Sequence, residues 1–318
     1  MLQDSYGRKI DYIRLSLTDR CQLRCQYCLP EAGAIWTAAD QLLTVDEIKA
    51  MVQAFAKLGV RKVKLTGGEP LLYPNLSSLI PALKGIAGIE EVTLTTNGVK
   101  LATMITQLVA AGLDGINISL DTLDQARYIS ITGQNQLDSV LAGLRAALAS
   151  PIKEVKINCV LTSKDEILAM ASLAKESRAH VRFIELMPIG RGKTLTAISE
   201  AEVCQILSGH YGALKPFSEK LGNGPAHYVE IAGFKGKIGF ISAISQHFCE
   251  ACNRVRITAD GSLKVCLCYE QEVNLKNAIQ ADNLEAQILE ALKFKPKRHC
   301  YDQEIWGKTT RSMNQIGG

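Results

Sequence analysis

The chain has 318 residues, of which 47% are hydrophobic and 21% charged, as is typical of a globular protein with one large domain and an appendage. No apolar run approaches the roughly 20 residues that span a bilayer. The N-terminus also lacks the charged start and apolar segment of a secretory signal, so we expect a cytoplasmic protein. The net charge of +4 is too mild to indicate a nucleic-acid-binding surface and is compatible with a small anionic substrate.

Strands and helices alternate along the first part of the chain. Alternating apolar and polar residues predict a first strand at 13–18. The capping box Thr44-Val45-Asp46-Glu47 predicts the start of a helix that ends at Gly59. Further strands are predicted at 60–66, 92–96, 115–120, 155–161 and 181–186. Further helices are predicted at 75–86, 101–111, 137–149 and 165–176.

These elements form consecutive βα units, an order that implies a parallel sheet with right-handed crossovers. Six units are too few for a closed eight-stranded barrel, so we expect the α/β class with a partial (βα)6 barrel of the TIM type. Beyond 187–192 the pattern changes to a helix at 200–207 and to short strands, predicted to be antiparallel, at 228–231, 237–242, 254–258 and 262–265. We therefore predict a barrel domain over 1–215 and a small α+β domain over 216–318.

Ten cysteines in a cytoplasmic protein favour metal ligation over disulfides. Cys21, Cys25 and Cys28 form a C-x3-C-x2-C run in the loop after the first strand. Three thiolates at this spacing can hold three irons of a [4Fe-4S] cluster and leave the fourth iron open to a small molecule. Zinc would need a fourth ligand, and no His or Cys follows nearby. The spacing, with Tyr27 before the last cysteine, resembles the signature of radical S-adenosylmethionine (SAM) enzymes.

The most unusual polar residues follow the ends of the predicted strands. Ligands of parallel βα folds bind at this edge of the sheet. The glycines at 67–68 would let the backbone approach a ligand closely, and Ser119 offers a hydroxyl group, so both could bind polar groups of SAM. The other strand ends carry polar residues at 95–98, 117–121, 156–158 and 185–188.

A second cysteine set, Cys249, Cys252 and Cys266, has the spacing C-x2-C-x13-C. Together with Cys268 it could form a zinc site of four thiolates. Without Cys268 it could hold a second [4Fe-4S] cluster with one open iron, and the spacing favours this cluster over zinc.

Arg254 and Arg256 follow this set as alternate residues of a predicted strand, so they face the same way. Guanidinium groups suit phosphate oxygens. Arg14, Lys64 and Lys156 could complete a cationic clamp for an anionic ligand.

Taken together, these residues resemble one family, the GTP 3′,8-cyclases, which are radical SAM enzymes that begin molybdenum cofactor biosynthesis. The tail 311–318, which ends in Gly-Gly, is the most specific piece of the resemblance. A terminal dipeptide is normally dispensable, but in this family it enters the active site. The other matching pieces are 18–21, 25–28, 66–70, 95–98, 156–158, 248–254 and 258–261.

The resemblance implies two [4Fe-4S] clusters and SAM as cofactors, GTP as substrate and 3′,8-cyclo-7,8-dihydro-GTP as product. The first cluster would reduce SAM, and the resulting deoxyadenosyl radical would take a hydrogen from C3′ of the GTP ribose. The second cluster would hold the guanine. The resemblance also implies an electron donor such as flavodoxin or ferredoxin, a downstream cyclic pyranopterin monophosphate synthase and a homodimer, with no nucleic-acid or membrane partner.

Site residues follow from the resemblance by motif position. The cluster ligands would be Cys21, Cys25 and Cys28 for the first cluster, and Cys249, Cys252 and Cys266 for the second. SAM contacts would fall on Tyr27, Gly68, Ser119 and Met187. GTP contacts would fall on Arg14, Lys64, Thr95, Lys156, Arg254, Val255 and Arg256. The catalytic tail residues would be Gly317 and Gly318.

The chain departs from the family pattern where Lys64 and Tyr73 replace the usual arginines and Cys268 replaces a usual Phe. Lys64 keeps the charge but loses the bidentate fork, which leaves open weaker triphosphate binding or an altered substrate. One alternative is a peptide-modifying radical SAM enzyme, which would need more C-terminal cysteines. Another is a zinc-stabilised binding protein without catalysis, which would contain no iron.

Overall fold

The computed structural model describes residues 1–29, 36–299, 301 and 311–317. The strands of this part of the chain are β1 Tyr12–Ser16, β2 Lys62–Thr66, β3 Glu91–Thr96, β4 Gly115–Ser119, β5 Glu154–Val160, β6 His180–Ile184, β7 Leu214–Phe217, β8 His227–Ile231, β9 Ile238–Ile241, β10 Arg254–Ile257, β11 Ser262–Lys264 and β12 Glu272–Asn274. Its α-helices are α1 Val45–Lys57, α2 Leu76–Lys84, α3 Leu101–Ala110, α4 Gln125–Thr132, α5 Leu137–Ala149, α6 Glu166–Glu176, α7 Glu200–Tyr211, α8 Lys276–Gln280 and α9 Leu284–Leu292. Its short 3-10 helices are Pro70–Leu72, Gly190–Thr194, Cys249–Ala251 and Met313–Gln315.

These strands form one sheet in the order β12-β11-β10-β1-β2-β3-β4-β5-β6-β9-β8-β7. Strands β1 to β6 are parallel neighbours, and each connection between them passes through one or two of the helices α1 to α6. The sheet curls into a half-barrel with these helices packed on its outer face. The predicted α/β class and partial six-unit barrel are therefore confirmed.

The first βα unit illustrates why these residues adopt this fold. Ile13 and Leu15 of β1 are fully buried in the apolar core, whereas Arg14 between them lines a cavity on the inner face of the sheet. Helix α1 begins at the predicted capping box, in which Thr44 Oγ1 accepts from Glu47 N–H at 3.2 Å and Glu47 Oε2 accepts from Thr44 N–H at 2.8 Å. Such a cap stabilises a helix by about 1 kcal/mol.

The strands after β6 agree with the prediction in part. The strands predicted to be antiparallel pair in this way with one another, β8 with β9 and β10 with β11. They also extend the barrel sheet, because β9 pairs in parallel with β6 and β10 pairs in parallel with β1, which the sequence does not predict. The reason is that the two-residue period of a strand shows which face is buried but does not show which distant strand lies beside it.

Several short elements were not predicted, namely β7, β12, α4, α8 and α9. Helix α4 is the one that matters for the site. It is eight residues long and contains Ile129, Ile131 and Thr132, whose branched side chains are weak helix formers, so its sequence does not indicate a helix. No helix in the described residues has the length and apolar content that crossing a membrane requires.

Candidate active site

A cavity of about 330 Å³ lies on the inner face of the half-barrel. Every predicted site residue that the structure describes lines it except Gly317. Those residues are Cys21, Cys25, Cys28, Cys249, Cys252, Cys266, Tyr27, Gly68, Ser119, Met187, Arg14, Lys64, Thr95, Lys156, Arg254, Val255 and Arg256. The Val255 side chain belongs to the apolar core. Gly318 lies outside the described residues.

The loop that carries the first cysteine triplet is held by its backbone. Arg24 N–H donates to Thr132 O at 2.7 Å and Gln26 N–H donates to Ile131 O at 2.9 Å, so the end of α4 fixes the middle of the loop. On the other side, a Cβ atom at Gly68 would lie 2.4 Å from the carbonyl oxygens of Asp19 and Arg20. Only glycine permits this contact between the loop and the end of β2.

Glu69 links the ends of neighbouring strands beneath the first triplet. Its buried carboxylate accepts from Thr96 Oγ1 at 2.6 Å, from Asn97 N–H at 2.7 Å and from Leu71 N–H at 2.9 Å. Burial raises the pKa of Glu69 to about 7, although these bonds act in the opposite direction. Through this network Asn97 is positioned with its Nδ2 3.6 Å from Cys21 Sγ.

The three thiols of the first triplet are all difficult to ionise without metal. Burial raises the pKa of Cys21, raises that of Cys25 well above the usual range and raises that of Cys28 to about 12. Mutual repulsion acts in the same direction for Cys25 and Cys28. Iron binding must therefore displace their protons, as is usual for thiolate sites. The thiols, close along one loop and facing one cavity, fit a [4Fe-4S] cluster with one open iron.

Tyr27 and Asp121 form a second link between the cysteine loop and the sheet. Tyr27 Oη donates to Asp121 Oδ2 at 2.6 Å, while Asp121 Oδ1 accepts from Val160 N–H at 2.8 Å. Burial raises the pKa of Asp121 to about 6, and that of Tyr27 well above its usual range. The side chain of Tyr27 is thus fixed against the end of β5.

The second triplet has a different electrostatic environment. Burial acts to raise the pKa of Cys252, but the positive charges of Lys295 and Arg254 outweigh it and lower that pKa to about 7. Cys249 is held by two contacts: Arg8 Nη1 donates to its carbonyl oxygen at 2.8 Å, and His299 N–H donates to its Sγ at 3.4 Å. Both contacts come from segments remote in sequence from Cys249.

The zinc alternative required Cys268 as a fourth ligand. Cys268 also lines the cavity, but it is fully buried and packs with Ile189 and Tyr301. Within the described residues, no three His, Cys, Asp or Glu side chains are grouped as ligands of a single metal ion. A cubane cluster does not need such a group, because each thiolate binds a different iron. Cys249, Cys252 and Cys266 around the cavity therefore fit a cluster better than they fit one ion.

The two triplets lie beyond opposite ends of one strand pair. Cys21 follows β1, whereas Cys252 precedes β10, which is parallel to β1 and begins opposite Tyr12. Cys266 follows β11, which is antiparallel to β10, and so returns to the end where Cys252 lies. The paired strands between the triplets span roughly 15 Å.

Cationic side chains line the space between the triplets. Arg256, Arg14 and Lys64 are direct neighbours across β10, β1 and β2. Lys156 of β5 and Arg182 of β6 line the opposite wall. We call these five residues, with Arg254, the cationic belt. The Nε atoms of Arg182 and Arg254 are buried, and neither has a hydrogen-bond partner among the described residues.

Crowding of like charges makes the cationic belt unfavourable without an anion. Burial lowers the pKa of Lys64 well below its usual range, and Arg182 and Arg14 lower it further. Burial also lowers the pKa of Arg256 to about 9, with Arg14 and Arg254 acting in the same direction. For Lys156 burial lowers the pKa, and its ion pair with Glu154 opposes the effect. A polyanionic ligand would relieve this repulsion.

The C-terminal tail reaches the cationic belt. Gly317 O accepts from Arg14 Nη2 and from Arg256 Nη1, each at 3.0 Å. Gly317 has a φ of +75°, and a Cβ atom there would lie 2.5 Å from Thr66 Oγ1. The tail is held further back by Asn314, which is buried and donates through Nδ2 to Asp19 O at 3.0 Å.

Arg182 and Lys295 are cavity residues that were missed at the level of sequence. Arg182 sits on β6 with its guanidinium bonded to Asn158 Oδ1. Its alternation with the buried Val181 and Phe183 could have indicated an inward-facing charge. Lys295 lies in a loop after α9, where no periodic pattern indicates whether a side chain is buried or exposed.

Comparison with known proteins connects this geometry to two protein families. The profile of the Radical SAM superfamily matches residues 15–174, and that of Molybdenum Cofactor Synthesis C matches residues 179–301. A GTP 3′,8-cyclase of Clostridium perfringens (strain 13 / Type A) is 43% identical over 324 residues, covering 100% of both chains. A GTP 3′,8-cyclase of Moorella thermoacetica is 41% identical, also over 100% of both. Molybdenum cofactor biosynthesis protein 1 of Mus musculus is 39% identical over 99% of this chain and 51% of its own.

Among solved structures, the SAM-bound Streptococcus suis SuiB is similar to this chain with a TM-score of 0.61, covering 94% of this chain and 67% of its own. The sequences are 15% identical, so the likeness concerns the fold alone. SuiB bound to its precursor peptide gives a TM-score of 0.59 at the same identity.

Proposed function

This chain belongs to the GTP 3′,8-cyclase family of radical SAM enzymes, and on that basis we propose how its cavity is divided between the cofactors and the substrate. The enzyme converts GTP to 3′,8-cyclo-7,8-dihydro-GTP in molybdenum cofactor biosynthesis, with SAM and two [4Fe-4S] clusters. The family relationship supports this function over the peptide-modifying alternative. The observation that carries the division of the cavity is the cationic belt between the two cysteine triplets.

We assign the carboxyl edge of the sheet to SAM. Cys21, Cys25 and Cys28 would hold the first cluster there, and the chemistry that this bound group supplies is reductive cleavage of SAM. Gly68 keeps the backbone at the end of β2 close to the loop, and Glu69 holds that edge rigid. Tyr27, Ser119 and Met187 complete the wall around it.

We assign the interior of the half-barrel to GTP. The cationic belt would bind the triphosphate. The buried Nε atoms of Arg182 and Arg254, which have no hydrogen-bond partner within residues 1–29, 36–299, 301 and 311–317, are donors that such a ligand could satisfy. Cys249, Cys252 and Cys266 would hold the second cluster, with the guanine directed towards it. Thr95, whose Oγ1 accepts from Asn117 Nδ2 at 3.1 Å, lies on the same inner face.

Lys64 keeps a positive charge in the cationic belt where the family usually has arginine. Its position between Arg14 and the β3 strand is buried, so the ammonium has little room to move. We propose that it contacts the triphosphate through one oxygen at a time, while the arginines beside it supply the bidentate contacts.

The partners beyond the substrates are those that the family relationship implies. Reductive cleavage of SAM requires an external electron, and we propose a low-potential protein such as flavodoxin or ferredoxin as its source. Arg20 and Arg24 are exposed on the first cysteine loop and would favour an acidic donor. We further propose that cyclic pyranopterin monophosphate synthase consumes the product and that the chain forms a homodimer.

The direct test is product analysis. Anaerobically reconstituted and reduced protein, incubated with SAM and GTP, should yield 5′-deoxyadenosine and 3′,8-cyclo-7,8-dihydro-GTP in matching amounts. Mass spectrometry and deuterium transfer from GTP labelled at C3′ would identify both. Formation of 5′-deoxyadenosine without deuterium transfer would contradict GTP as the hydrogen donor.

Replacing Arg254 and Arg256 together by alanine tests the assignment of the cationic belt. We expect GTP affinity to fall more than about tenfold and guanosine affinity to change little, because charge-assisted bonds to phosphate contribute roughly 1.5–3 kcal/mol each. Calorimetry with both ligands would measure the difference. Arg61→Ala is a suitable control, because Arg61 is exposed and paired with Glu90 outside the cavity. Equal losses for GTP and guanosine would mean that the two arginines act only on the structure.

A further inference from the structure

A buried lysine contacts the backbone beside two cysteines of the second triplet. Lys295 is 3% exposed and follows α9, to which its N–H is bound through Leu292 O at 3.0 Å. Its Nζ donates to Arg254 O at 2.9 Å and to Val265 O at 2.7 Å. Arg254 is two residues after Cys252, and Val265 immediately precedes Cys266. One ammonium group therefore joins the two strand ends that carry these cysteines.

The segment that carries Lys295 is fixed from outside as well. The buried Arg8 donates through Nη2 to Pro296 O at 2.6 Å and through Nη1 to Lys297 O at 2.9 Å. Arg8 also holds the Cys249 carbonyl, and His299 N–H holds the Cys249 sulfur. The segment 295–299 thus contacts the surroundings of all three cysteines, although it carries none of the predicted ligands.

In the part of the chain that the structure describes, no carboxylate balances the buried ammonium of Lys295. Arg8, which is also buried, forms an ion pair with Asp4. By contrast, no carboxylate among the described residues lies within ion-pair distance of Lys295. The Cys252 sulfur lies beside this ammonium, because both contact the carbonyl oxygen of Arg254, the sulfur at 4.0 Å and Lys295 Nζ at 2.9 Å. A buried charge is stable only when it is paired.

We propose that Lys295 is a positioning residue of the second cluster, holding its ligand-bearing strand ends together and supplying the positive charge that balances its thiolates. This inference rests on the proposed assignment of that cluster to Cys249, Cys252 and Cys266. A positive charge beside the cluster favours its reduced, more negative state, so Lys295 raises the reduction potential of the second cluster. The first cluster has no such lysine in its loop.

The test is a redox titration of the reconstituted full chain followed by electron paramagnetic resonance, with the first cluster as internal reference. In Lys295→Met the charge and both hydrogen bonds are lost. At a fixed applied potential we expect the ratio of oxidised to reduced second cluster to rise at least tenfold, which is about 59 mV for a one-electron couple. Lys295→Arg should retain most of the wild-type ratio, because it retains the charge.

Two further variants separate the bonds from the charge. Lys295→Gln keeps N–H donors without the charge, so it should hold the second cluster but show the same shift as Lys295→Met. Lys293→Met is the matched control, because Lys293 is two residues away, exposed and paired with Glu290. It should leave both clusters unchanged. In thermal unfolding of the metal-free proteins, the melting temperature should fall more for Lys295→Met than for Lys293→Met.

Loss of the second cluster from Lys295→Met, with iron falling from about eight to about four atoms per chain, would also support the proposal. The proposal would be overturned by a Lys295→Met protein that keeps full iron and has a ratio of oxidised to reduced second cluster within twofold of wild type. A Lys295→Gln protein with the wild-type ratio would show that the charge of Lys295 does not affect the reduction potential. Cys252→Ser tests the underlying site separately, since retention of the second cluster in that variant would refute the ligand assignment itself.

Discussion

Replacing Cys25 by serine is expected to abolish the formation of 5′-deoxyadenosine while leaving the fold and the second cluster intact. Serine is nearly the same size, and the loop backbone contacts, such as Cys28 N–H to Cys25 O at 2.9 Å, do not involve the sulfur. The loss of one of three thiolates should nevertheless prevent assembly of the first cluster. The measurements are iron content, expected to fall by about half, and 5′-deoxyadenosine yield under dithionite.

The matched control for Cys25→Ser is Cys204→Ser. Cys204 is similarly half-buried, but it lies on α7 and does not line the cavity. It should retain wild-type iron and wild-type SAM cleavage. If Cys25→Ser cleaved SAM as well as the wild-type protein does, the first cluster would have to be held elsewhere.

Changing the tail is expected to produce the second large effect, at least a hundredfold loss of cyclised product with little change in stability. Gly317→Ala adds a methyl group 2.5 Å from Thr66 Oγ1 and places alanine at a positive φ, so the residue must move. The Gly317 carbonyl then loses its contacts with Arg14 and Arg256. Misplacement of a group by about 1 Å can reduce a rate about a hundredfold.

Deletion of residues 317–318 should have the same consequence, because it removes the carbonyl altogether. Both proteins should retain two clusters, the wild-type melting temperature and some cleavage of SAM. Gly209→Ala is a control for the added methyl group, since a Cβ atom at Gly209 meets no atom within 4 Å. Iron content, thermal unfolding and product formation would be compared side by side. Normal cyclisation by the tail variants would show that the contacts of Gly317 with the arginines are incidental.

Local patterns predicted much of this fold, and the reason is visible in particular elements. The helix predicted at 137–149 has those bounds in the structure, because its apolar residues recur at helical spacing and are buried on one face. The capping box at Thr44 formed as expected. The polar residues at the predicted strand ends indicated where the cavity lies, because parallel βα units place their carboxyl ends at one edge of the sheet.

Features that depend on distant contacts were not predictable in the same way. The parallel pairing of β10 with β1 joins Tyr12 to Arg254, and no local pattern specifies that partner. Lys295 has the sequence context of a surface lysine, and its burial follows only from the placement of the segment 295–299 beside the second triplet. The motifs identified the ligands and the charges, whereas the contacts that support them required the structure.

The pairing at the two margins of the half-barrel has a consequence for biosynthesis of the protein. Strands β1 to β6 form from contiguous βα units, so their mutual contacts are local and can develop early. The outer edge of β1 pairs with β10, and the outer edge of β6 pairs with β9. Both partner strands leave the ribosome much later than β1 to β6. Until then β1 and β6 are open edges, which are templates for aggregation. A nascent chain that ends before Ile238 therefore carries two unprotected edges, and the later segment closes both.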